Sequence, residues 1–218
     1  MLLKINPYEI IHQIFVSNFG LEKYAYIIKH INQVNVAENR EFQKMFNGFY
    51  RVRRDEAWQE QFYGFFQIAK VQNDFFDEII EELYHSSGRI EASFSSKMLA
   101  NIDDNKPIWD SFVLNALDFK NPLPSMPKLE QMKRKIEIYH KIDRWYVDYL
   151  KTENAQECID KFNEILPEYT WISDVKKIDC FLGNMCQKGR RGTPVQIEGG
   201  IREYPIGAYD TECINITK

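Results

Sequence analysis

The run from Ser86 to Leu117 holds the residues best placed to do chemistry. A small-residue turn, Ser93-Phe94-Ser95-Ser96, opens a helix that bears Lys97. A loop rich in Asp and Asn follows, and Pro107-Ile108-Trp109-Asp110 then opens an apolar helix with Asp110 at a natural N-cap. A lysine amine is a nucleophile only when neutral, and burial favours its neutral form. A carboxylate at a helix N-terminus stays ionised and can stabilise positive charge that develops on a substrate. The plain alternatives are that Asp110 only caps its helix, that Lys97 is a solvated helix charge, and that the serines simply start a helix.

This block resembles the helix-hairpin-helix (HhH-GPD) DNA glycosylase superfamily, which includes endonuclease III-like and 8-oxoguanine glycosylase-like enzymes. The family's hairpin reads Leu-Pro-Gly-Val-Gly-x-Lys-x-Ala, followed by a loop and an aspartate that opens the next helix. Ser93 to Ile102 falls on the hairpin portion and Ile108-Trp109-Asp110 on the aspartate portion. Serines stand where the family has both hairpin glycines, the lysine-to-aspartate interval is shorter, and there is no four-cysteine iron–sulfur signature. The resemblance implies that Lys97 is similar to the Schiff-base lysine and Asp110 to the essential aspartate. It further implies that a target base leaves the duplex and stacks on an aromatic ring. Trp58, Tyr63 and Trp109 are the candidate rings, and Ser93, Ser95 and Ser96 would approach the DNA backbone.

The elements that must position these groups are helical. Apolar residues recur three and four apart over 8–16, 21–33, 38–46, 55–70, 73–85, 128–151, 154–165 and 171–186, each reading as a helix with one inward stripe. Pro122, Pro124 and Pro127 make an extended connector before the longest helix. The fold class expected is all-α: a helical domain over 1–187, with 86–118 as its hairpin-like block. A Gly/Pro-rich tail over 188–218 follows, irregular or carrying a small hairpin around Gly199-Gly200.

Composition narrows the partners. The formal net charge is −4, so any DNA contact must come from a local basic face rather than from the whole surface. Arg51, Arg53 and Arg54 form one candidate for such a face, or a solvated turn between helices. Lys188, Arg190 and Arg191 form another, or a solubilising tail, and Lys176 and Lys177 are further candidates for a basic face, although core packing explains most of their segment. Lys133-Arg134-Lys135, interleaved with Glu130 and Glu137, reads as a solvent-facing salt-bridged face. The four histidines are scattered with no HExxH, and the four cysteines show no CxxC pair, so no metal and no cofactor is expected. No stretch approaches the roughly 20 apolar residues that span a bilayer. Asn6, Pro7, Glu9 and His12 interrupt what would be a signal peptide's apolar core, so a cytoplasmic protein with reduced thiols is expected. Two functions follow: a base-excision enzyme acting on DNA, or a non-catalytic protein on the same scaffold that binds a partner. An unrelated helical bundle is the third reading.

Overall fold

Among the described residues the chain forms ten helices, several of them opened by a side-chain cap. The structure is a computed structural model that describes residues 3–17, 20–190, 195–197 and 200–202, with side chains given through Gly183 apart from residues 13 and 15–17. The helices are α1 (Pro7–Ser17), α2 (Leu21–His30), α3 (Arg40–Tyr50), α4 (Glu56–Gln72), α5 (Phe76–Ser87), α6 (Ala92–Ile102), α7 (Ser111–Ala116), α8 (Lys128–Tyr149), α9 (Glu153–Ile165) and α10 (Asp174–Arg190). Asn39, Asp55, Asp110 and Thr152 each accept a backbone N–H from the first turn of the helix they precede. Gly88, at φ 68, ends α5 in the left-handed region, where a side chain would be strained.

The class is all-α. Two short strands after α10, β1 (Val195–Ile197) and β2 (Gly200–Arg202), pair antiparallel with Ile197 opposite Gly200. The small hairpin is therefore present, with Gly200 in the second strand rather than in the turn. α10 continues to Arg190, so Lys188 and Arg190 sit on helical backbone rather than in the loop expected there. Arg191 lies outside the described residues. Among the described residues no helix is long and apolar enough to cross a membrane.

Three packing relationships position the chemistry-bearing block. α3 and α4 lock through an aromatic cluster in which the Phe46 ring lies 5.8 Å from Phe62 and 5.6 Å from Phe66. α5 packs on α6 and on α8, where Phe76 and Tyr139 stack at 3.7 Å. α10 packs against α1, α7 and α9 and carries the buried stripe Val175, Ile178 and Leu182. Far from the block, Asn154 of α9 both donates to the Ile5 carbonyl and accepts from the Ile5 N–H, each at 2.8 Å, which ties the N-terminal segment down.

Candidate functional site

α6 starts where the chain reverses at Gly88. The first turn of α6 already includes the serines, so Ser93 to Ser96 is helix rather than a bend between helices. Ser95 and Ser96 are fully buried and spend their hydroxyls locally. Ser95 Oγ donates to the Glu91 carbonyl, and Ser96 Oγ donates to the Ser93 carbonyl, both at 3.0 Å. Neither hydroxyl faces solvent, so as folded Ser95 and Ser96 do not offer them to a DNA backbone, whereas Ser93 is half-buried. The tight reversal that a hairpin requires is supplied one step earlier, by Gly88 to Glu91.

Lys97 is buried, with 9% of its surface exposed, which departs from the solvated-charge alternative. Its ammonium donates to Ser93 Oγ at 2.9 Å and lies 5.3 Å from the Phe94 ring centre and 5.8 Å from that of Tyr50. One turn on, the Asn101 amide donates to Tyr50 Oη at 2.8 Å and to the Lys97 carbonyl at 2.6 Å. Asn101 Oδ1 is buried with no hydrogen-bond partner among the described residues.

Asp110 caps α7 as its sequence position required, accepting from the Val113 N–H at 2.9 Å. The segment before it is clamped twice. The Trp109 N–H donates to Ser96 Oγ at 2.7 Å, and Tyr139 Oη donates to the Pro107 carbonyl at 3.1 Å. The residues that precede Lys97 and Asp110 in the chain are thus directly hydrogen-bonded to each other, while the Lys97 amine lies against Ser93, Phe94 and Tyr50 and the Asp110 carboxylate against the first turn of α7.

α10 contributes a polar interior. Lys176 and Asp179 are 4% and 6% exposed, and Lys176 Nζ stands 3.7 Å from Asp179 Oδ2. Lys176 also lies 5.0 Å from the Tyr24 ring centre and 5.1 Å from that of Phe49. Asp179 Oδ1 accepts from Tyr146 Oη. Burial pushes the Asp179 carboxyl up to about 6, because Lys176 and the Tyr146 hydroxyl restore only part of the lost hydration. Burial works against the charged form of Lys176, but Asp179, Tyr50, Cys180 and Asp110 outweigh it and hold that ammonium above the usual lysine range. Tyr24, Tyr50, Asp104, Lys106, Lys176 and Asp179 line a slot that is too narrow, as it stands, for a water molecule, and neither Lys97 nor Asp110 lines it. Lys106, at its mouth, pairs with Asp143 at 3.0 Å.

No protein-family model, curated protein or solved structure matches this chain. The resemblance drawn above therefore rests on its residues alone.

Several candidates fall elsewhere. Tyr63 and Trp109 are 1% and 2% exposed, and Tyr63 Oη donates to Asn47 Oδ1 at 2.7 Å, so as folded neither ring has a face to offer a base. Trp58 is half-buried, stacked on Phe62 at 4.9 Å and 5.4 Å from the Arg54 guanidinium. Arg54 itself is committed to Glu91 at 2.8 Å, while Arg51 and Arg53 are exposed. Arg134 pairs with Glu130 on a solvated face as expected, but Lys135 of the same run is buried and donates to the Ile90 carbonyl at 3.3 Å. Lys176 and Lys177 are buried too and form no basic face. Cys158 and Cys180 are buried, and burial pushes both thiols up to about 12. Among the described residues no cluster of His, Cys, Asp or Glu has a metal-holding arrangement.

Sequence reasoning missed Tyr50, Asn101, Tyr146 and Asp179, and read Lys176 as core segment or surface charge. The available signal was positional. Asn101 sits one turn after Lys97, and Lys176 and Asp179 sit one turn apart beside the inward stripe of α10.

Proposed function

We propose that the protein is a DNA glycosylase-like base-excision protein, with Lys97 as the amine and Asp110 as the electrostatic stabiliser. The observation that supports this reading best is the Ser96–Trp109 hydrogen bond at 2.7 Å, which draws the helix of Lys97 and the cap of α7 together. The burial of Lys97 between the Phe94 and Tyr50 rings suits a nucleophile, since water is kept from the amine. In this mechanism the Asp110 carboxylate opposes the positive charge that grows on the sugar as the base departs. Once its ammonium has given a proton to water, the Lys97 amine attacks the anomeric carbon, the bond to the base breaks, and the base leaves with the electron pair and takes a proton from water. Exposed Arg51 and Arg53 are the described candidates to touch phosphate, and the charge balance of the chain makes that contact local.

The test is base release from duplexes carrying single damaged or modified bases. Wild type releases at least one base, and Asp110→Asn, which keeps a capping oxygen, loses that release. Equal release by both proteins overturns the assignment of Asp110, and no release by wild type from any duplex overturns the reading.

A second reading, a non-catalytic protein that binds a partner, is favoured by one observation. Ile68 and Val71 on α4 and Phe75 ahead of α5 are 51%, 68% and 70% exposed, three large apolar side chains close in sequence and open to solvent. Copurification of a stoichiometric protein partner, lost in Val71→Asp and kept in Asp110→Asn, would select this reading.

A further inference from the structure

We infer that Lys176 and Asp179 are positioning residues for the chemistry at Lys97 and Asp110: a buried ion pair that sets the charge facing Asp110 and braces Tyr50 against the amine. The inference rests on the base-excision reading and extends it to α10. Three observations carry it. First, both groups are more than nine-tenths buried, their charges stand 3.7 Å apart, and Asp179 also accepts from Tyr146, so the pair is tied to α8 as well as to itself. Second, a continuous path joins them to Lys97. Lys176 covers the Phe49 ring, Phe49 meets Tyr50 edge to face at 4.6 Å, and the Tyr50 hydroxyl accepts from Asn101, whose amide also holds the Lys97 carbonyl. Third, α10 packs directly on α7, the helix that Asp110 caps, and the Asp110 charge acts on Lys176, Asp179 and Tyr146 alike.

A structural ion pair costs more desolvation than it returns unless its geometry is close. This one is loose, so packing alone gives little reason for it. Its two charges instead set a field at the start of α7, where Asp110 sits, and a low-dielectric interior lets that field reach farther than it would in water.

The groups facing Asp179 define the expected titration. Lys176 and Cys180 come from its own helix, Tyr146 and Tyr139 from α8, Tyr24 from α2, Tyr50 from α3, and Asp110 from the start of α7. Asp104 and Lys106, from the loop before α7, line the same slot, and Lys176 lowers Asp179 while Asp110 raises it. Ionised Asp179 therefore adds negative potential beside Asp110 above about pH 6 and withdraws it below.

The experiment compares wild type, Asp179→Asn and Lys176→Met in two readouts, with thermal unfolding recorded for each variant. In the pH profile of base release, wild type loses rate as pH falls through about 6, Asp179→Asn lacks that limb, and Lys176→Met moves it to higher pH. In the rate of reductive methylation of Lys97, followed by peptide mass mapping with formaldehyde and cyanoborohydride as the probe, the two variants move in opposite directions. Asp179→Asn speeds methylation several-fold and Lys176→Met slows it. General loosening of the fold would expose Lys97 and speed both. Same-direction changes, or an unaltered pH limb in Asp179→Asn, overturn the inference. A wild type that releases no base overturns the excision reading by itself, and the methylation rates still decide whether the pair acts on Lys97.

Discussion

The Trp109 backbone N–H donates to the hydroxyl of Ser96 at 2.7 Å, across a loop that separates a buried lysine from a helix-capping aspartate. Because that N–H is buried with Trp109, the serine is its substitute for water, and Ser96 is a tether rather than a surface hydroxyl.

Removing the tether should cost stability. Ser96→Ala leaves the Trp109 N–H buried without its acceptor, a loss of about 1 to 3 kcal/mol by the usual penalty for an orphaned donor. Ser95→Ala removes only a hydroxyl that bonds back to its own helix at Glu91, and costs less. Urea unfolding of the two variants checks the order. Equal losses would mean that the Trp109 contact does not fasten the loop.

Asp110 carries a local role that can be separated from a chemical one. Asp110→Ala gives up the cap to the Val113 N–H and loses about 1 kcal/mol, whereas Asp110→Asn keeps a capping oxygen and holds most of that stability. Both variants lose base release if the carboxylate charge is needed. Unfolding midpoints set beside release rates separate the two contributions.

Arg54 and Glu91 join the loop after α3 to the start of α6, with side-chain exposures of 17% and 7%. Arg54→Met strips the guanidinium from a buried carboxylate, and about 3 kcal/mol is expected from the behaviour of broken buried pairs, less some solvent screening at the partly open arginine. Arg54→Met with Glu91→Gln should recover part of it. A double variant no more stable than the single one would mean that the aromatic packing of Arg54 on Trp58 and Phe94 matters more than the pair.

Much of this arrangement is legible in the sequence, and the illegible part has a physical reason. The stripes of α8 and α10 and the cap at Asp110 follow from spacing and residue type, which act locally. The inward turn of Lys97, Lys135, Lys176 and Lys177 does not, because a lysine's long stem packs as an apolar residue and its residue type argues for solvent. Tyr63 and Trp109 read as candidate stacking rings, yet Tyr63 packs with Phe46 and Phe62 and Trp109 is held by Ser96, contacts between segments that no local pattern encodes. The serine run reads equally as a turn or a first helical turn; the left-handed Gly88 upstream decides it by placing the reversal before Ala92.

Asp179 predicts a pH dependence of stability with a definite sign. Its folded carboxyl lies at about 6 against an ordinary 3.8, so the folded state holds the proton more tightly than the unfolded chain. The stability this provides is complete below about pH 4 and is lost as pH rises through about 6, an effect of about 2 to 3 kcal/mol. Asp179→Asn removes the dependence, so wild type loses ground to this variant between pH 4 and 7 in parallel urea unfolding series. A constant difference across that range would show that Asp179 titrates as an ordinary carboxylate.

The most direct test of the account is chemical capture of the amine. The protein is incubated with duplex DNA carrying one abasic site, reduced with borohydride, and the adduct is located by peptide mass mapping. The account predicts a single covalent adduct on Lys97, absent from Lys97→Ala. An adduct on any other lysine, or none at all, would contradict it.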